Sequence, residues 1–124
     1  MQNLEQIRAA AALPVARKTT KADVNKLPAM IISNGLLAAT AFANENAGTK
    51  RPKLAAVMNG VAGHLANSIH GLVLLQGCAN AGAMVERLST QATSAELQRA
   101  TAEALAFISF VKRFANKDET ETKG

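Results

Sequence analysis

An all-α fold, a compact bundle of about six short helices, is what this sequence predicts, and three observations carry the prediction. Alanine fills 26 of the 124 positions while Trp and Tyr are absent, a composition of strong helix formers that pack closely. Val, Ile and Thr never gather into an alternating run, which removes the signal of a half-buried strand. Apolar residues recur instead at spacings of three and four. A chain of this length forms one domain and buries a core without disulfide or metal. The expected limits are a helical domain over 1–116 and a polar tail over 117–124.

The first helix is expected over 3–19, kinked or interrupted at Pro14. Asn3 with Gln6 three residues on makes a capping box, and Leu4, Ile7, Ala11 and Val15 keep one face apolar. The second and third helices are expected over 24–34 and 36–45, split at Asn34-Gly35. Pro28 suits a first helical turn, where its missing N–H has no partner in any case. Asn and Gly both tolerate the left-handed conformation that closes a helix. Leu36-Leu37 resumes at once, so the two helices must turn a sharp corner and bury Ile31, Leu36, Leu37 and Phe42 together. Asn44 to Thr49 is a loop of turn formers. Pro52 then opens a longer helix striped by Leu54, Val57, Met58, Val61, Leu65 and Ile69, which Gly71 ends. A further helix is expected over 72–90, weakened by Gly77 and Gly82. Thr93 with Glu96 is a second capping box, and it starts a helix over 94–116 striped by Leu97, Ala100, Ala104, Phe107, Ile108, Val111 and Phe114.

The formal charge of +5 is uneven. The cations Arg8, Arg17, Lys18, Lys21, Lys26, Lys50, Arg51 and Lys53 gather in the first half, against Glu5, Asp23 and Glu45. From Leu54 to Val85 there is no Asp, Glu, Lys or Arg. That run is not a membrane span, because asparagines, histidines and glycines interrupt it before about 20 apolar residues accumulate. A central helix pair enclosed by the others accounts for it; partial burial against another subunit is the alternative. The lone Cys78 forms no internal bridge and no leader segment opens the chain, so a reducing cytoplasm is the expected compartment.

Catalysis is not expected. His64 and His70 are six apart, so on one helix they point in different directions, and no Cys, Asp or Glu stands at ligand spacing beside them. No metal and no cofactor is therefore expected. Cys78 has no cationic activator and reads as a small core residue. Gly60-Val61-Ala62-Gly63 spells GxxG, but inside an apolar helical pattern it serves close packing rather than an RNA clamp.

The basic clusters differ in what they do for their own helices. Arg17, Lys18 and Lys21 fall at the C-terminal end of the first expected helix, and Lys112 and Arg113 in the last turns of the final one. There cations complement the helix dipole. Lys50-Arg51-Pro52-Lys53 places three cations at a helix N-terminus, which is intrinsically unfavourable unless an anion such as phosphate visits. These eight residues are the candidate RNA-binding set. With four Phe and no other aromatic, any RNA contact is electrostatic, independent of sequence and strongly salt-dependent.

Lys26-Leu27-Pro28-Ala29-Met30-Ile31-Ile32-Ser33-Asn34-Gly35-Leu36, with Ala41-Phe42 after it, resembles a signature of the small helical subunit of type III-B CRISPR–Cas RNA-targeting complexes, part of the RAMP module. Arg99 to Phe107, followed by Val111-Lys112-Arg113-Phe114-Ala115, is similar to the same family's last helix. Asn3-Leu4-Glu5-Gln6-x-Arg8-Ala9 agrees with its start. Leu97 stands where the family often has Tyr, and the Trp that often precedes the Lys-Arg pair is replaced near Phe110. The resemblance implies an all-α, non-catalytic protein whose copies stack as a minor filament beside the backbone subunits holding the guide RNA. It implies contact with the large subunit and with target RNA, and a role in antiviral defence. Only Lys112 and Arg113 carry over from it by position. A helical protein–protein adaptor that touches no nucleic acid is the competing reading, and a small metal-dependent nuclease using His64 and His70 a more distant one.

Overall fold

A computed structural model describes residues 3–45, 52–78 and 80–115. Six α-helices make up the described chain, with no strand among them: α1 (Leu4–Ala16), α2 (Lys21–Asn34), α3 (Leu36–Glu45), α4 (Pro52–Leu65), α5 (Ala81–Thr90) and α6 (Ser94–Phe114). Two 3-10 turns, Ser68–His70 and Val73–Leu75, stand between α4 and α5. The expected tail over 117–124 lies outside the described residues.

Both capping boxes form. Asn3 and Gln6 exchange hydrogen bonds of 2.9 Å at the start of α1, and Thr93 and Glu96 do the same at 2.8 and 3.1 Å at the start of α6. Pro14 does not interrupt α1, which runs through it to Ala16 and stops short of the expected 19. Pro14 and Ala10 are both exposed, so water reaches the carbonyl that proline leaves unpaired. α2 begins at Lys21 rather than near 24, and Pro28 sits in its interior, not its first turn. The extended Thr20, whose hydroxyl donates to Asp23 Oδ2 at 3.1 Å, sets that earlier start.

Gly35 alone joins α2 to α3. Its φ of +94° with ψ of 158° is a positive-φ conformation open to glycine but is not the left-handed helical one expected of the Asn-Gly pair, and its N–H bonds Ile31 O at 2.8 Å. Ile31 and Leu36 are buried at this corner and Leu37 is half-buried. Phe42 departs from expectation and is 36 % exposed. The buried stripe of α3 is Leu36, Ala39, Thr40 and Ala43, and position 42 falls beside it. The buried Thr40 hydroxyl is satisfied by donating to Leu36 O at 2.7 Å.

α4 is the centre of the bundle and packs against α1, α2, α3, α5 and α6. Leu54, Val57, Met58, Val61 and Leu65 are all buried, and each such side chain contributes about 1.5–3 kcal/mol through removal from water. Gly60 lets α1 approach. A Cβ there would stand 2.4 Å from Val15 Cγ2.

The expected helix over 72–90 is only half present. Gly71 and Gly77 adopt φ of +67° and +87°, and the chain from 66 to 78 is built of turns, with Asn80 then capping α5. Asn59 Oδ1 on α4 accepts from Ala81 N at 2.8 Å, and Arg87 donates to Leu74 O and Gln76 O at 3.0 Å each. Ile69 consequently lies off the α4 stripe and is 55 % exposed. α6 packs on α1, α2 and α4, burying Ala100, Ala104, Phe107, Ile108 and Val111. Leu97 is half-buried and Phe114 exposed at its ends.

Candidate nucleic-acid interface

The chain's basic residues are placed by the ends of three helices. Arg17 caps the C-terminus of α1, and Arg17 and Lys18 stand exposed in the turn before α2. The earlier start of α2 moves Lys21 to that helix's first residue, not the trailing end of α1. Lys112 and Arg113 occupy the last turn of α6 as the sequence predicts, and both are exposed. The fold brings two of these groups together: Lys21, Lys112 and Arg113, with Ser109, line one open cleft of about 300 Å³. Three cations around one concavity raise the local potential for a polyanion. Lys53 is exposed in the first turn of α4, which holds no acidic residue and starts at Pro52 as expected. Lys50 and Arg51 lie outside the described residues.

A second polar cluster is internal. Glu103 of α6 accepts from Arg8 Nε and Nη2 of α1 at 2.7 Å each, and from His64 Nε2 of α4 at 2.8 Å. His70 Nδ1 lies 4.0 Å from the same carboxylate. The two imidazoles meet edge to face with centroids 4.4 Å apart, and His64 stacks on Phe107 at 4.6 Å. Burial pushes the Glu103 carboxyl up, but hydrogen bonds from Arg8 and His64 outweigh it and hold the pKa below the ordinary range. The bond to Glu103 raises the Arg8 guanidinium in turn.

This cluster overturns the expectation that the histidines diverge. α4 ends at Leu65, Asn67 Oδ1 caps the following turn through Ile69 N at 3.1 Å, and His70 folds back on His64. The expectation that no acid accompanies them fails too, because Glu103 arrives from another helix. His64, His70 and Glu103 are residue types of a metal centre, with ligand atoms within 4.8 Å of one another. Arg8 and His64 already take both oxygens of the carboxylate, however. Cys78 is buried, in agreement with a core role. Among the described residues no helix is long and apolar enough to cross a membrane.

Residues 2–117 match the family described as CRISPR-associated protein (Cas_Cmr5). The chain belongs to the Cas_Cmr5 family. It is thereby a small subunit of a type III-B CRISPR–Cas complex. Searches of curated proteins and of solved structures return no significant match. The Cas_Cmr5 match includes the middle of the chain, which none of the stretches carrying the resemblance reaches. Two of the three stretches that carried that resemblance meet in space: Arg8 of the first pairs with Glu103 of the last. In this Cas_Cmr5 chain the Lys112-Arg113 pair and the Lys26–Gly35 corner lie on α6 and α2, the helix that opens with Lys21.

Proposed function

We propose that this Cas_Cmr5 protein is the non-catalytic small subunit of its effector complex and contacts guide and target RNA through phosphate charge alone. Copies of it stack with one another as a minor filament, beside the backbone subunits and next to the large subunit. The observation that carries the RNA contact is the cleft of Lys21, Lys112 and Arg113, flanked in sequence by the exposed Arg17 and Lys18. The first N–H groups of α2 add partial positive charge beside Lys21. Lys53 in the first turn of α4, with Lys50 and Arg51 just ahead of it in sequence, forms the second contact, by the same dipole argument. Protein contacts have apolar surface to draw on, including Ile32 and Val73, 74 % and 71 % exposed.

The test is RNA binding across a salt series by the full chain and by a Lys21→Ala/Lys112→Ala/Arg113→Ala variant. Single-stranded RNA gives a log–log salt slope of about −0.7 per phosphate neutralised, so losing three contacts flattens the slope by about 2. Lys50→Ala/Arg51→Ala/Lys53→Ala is expected to flatten it as well. A wild-type protein with no salt-dependent binding would instead be a protein–protein adaptor. Loss of RNA cleavage in His64→Ala, if the purified protein cleaved RNA at all, would replace the non-catalytic reading with a nuclease.

A further inference from the structure

Glu103 gathers side chains from three other elements, and its arrangement is balanced for one protonation state. Arg8 and Glu103 are one cation and one anion joined by two hydrogen bonds of 2.7 Å. The His64 and His70 side chains are each more than nine-tenths buried. Each keeps one ring nitrogen, Nδ1 of His64 and Nε2 of His70, without a hydrogen-bond partner among the described residues. Such a nitrogen is tolerated while it carries a lone pair. Protonated, it becomes a buried donor with no acceptor, on a ring that is now charged.

His70 is the less deeply buried side of this balance. It lies on the turn that follows α4 and lines a cleft of about 400 Å³ with Arg8, Arg99, Glu103, Leu4 and Ile69. The titratable and charged groups facing it are Arg8 from α1, His64 from α4, and Arg99 and Glu103 from α6. Glu103 is the only anion among them, and Arg8 already neutralises it.

We propose that His70 is a proton-sensitive latch: neutral, it keeps the turn over 66–71 docked with its ring on His64, and protonated, it lets that turn leave the cleft. The buried Leu72 beyond the turn stays in the core, so release is local. The sense of the titration agrees. Burial first, then His64, lower the His70 pKa below its ordinary 6.5; Glu103 pulls the other way, opposed in turn by Arg8, and the His64 backbone raises it least. A base whose docked pKa is lowered favours docking above about 6.5, and the preference is lost as pH falls from there toward the docked value. Glu103 titrates separately, below its ordinary 4.5.

Hydrogen exchange of the full chain between pH 7.5 and 5.5, expressed as protection relative to intrinsic exchange rates, tests this. For one linked proton, protection of 66–71 is expected to fall by up to about tenfold per pH unit below 6.5, with the middle of α6 unchanged. His70→Gln, which keeps a polar neutral side chain, is expected to abolish the dependence. Should that variant fold poorly, an NMR titration of the His70 ring in the wild type reads the same proton directly. Protection that rises on acidification would overturn the latch, since His70 would then be a salt-bridge partner of Glu103. So would an unchanged pH profile in His70→Gln or a ring titrating above 6.5.

Discussion

Residues 54–65 and 66–78 are both rich in apolar side chains and free of Asp, Glu, Lys and Arg, yet the first is the central helix and the second is a chain of turns. The difference lies in period and punctuation. In α4 the buried positions 54, 57, 58, 61 and 65 follow a spacing near 3.6, so one continuous helix buries them all. In the second half the buried residues are Leu72, Leu75 and Cys78, each three apart, the period of a 3-10 helix. Asn67, Gly71, Gly77 and Asn80 supply caps and left-handed bends where a longer helix would have to continue. Hydrophobicity decided that both halves face inward; glycine and asparagine decided their shapes.

Three substitutions sharpen the contrast. Met58→Ala removes a fully buried side chain at the centre of α4 and is expected to cost about 2–5 kcal/mol in chemical denaturation. A loss under about 1 kcal/mol would mean that α4 is not the core. Gly60→Ala comes next. Its new methyl meets the stiff, β-branched Val15, and the expected cost is about 1–3 kcal/mol, relieved when Val15→Ala is added. Gly71→Ala is the mildest, because open space surrounds its Cβ position and only the left-handed backbone is strained, at about 1–2 kcal/mol. An unchanged midpoint for Gly71→Ala would show that the turn region does not depend on that bend, and the two halves would differ less than their geometry implies.

Much of the fold was legible because its signals were local. Both capping boxes, the Gly35 corner and the stripes of α4 and α6 rest on residues a few positions apart. Pro28 misled because the start of α2 is set upstream by Thr20 and Asp23, and the two 3-10 turns stayed hidden because Gly77 reads as a weak point within a helix over 72–90 rather than as a bend that keeps one from forming. At the candidate interface, the residues could be named but their company could not. Lys21 meets Lys112 and Arg113 across some ninety residues, and nothing in local spacing encodes that approach. Glu103 was invisible as the partner of His64 and Arg8 for the same reason. An acid in step with the apolar stripe at Ala100, Ala104 and Phe107 was the one available hint.

The joint at Gly35 contains no slack. One additional residue between α2 and α3 would advance every later position of α3 by about 100° around its axis. Leu36, Ala39 and Ala43 would swing away from the interior together, so length at this elbow is expected to be far less negotiable than residue identity on the surfaces around it.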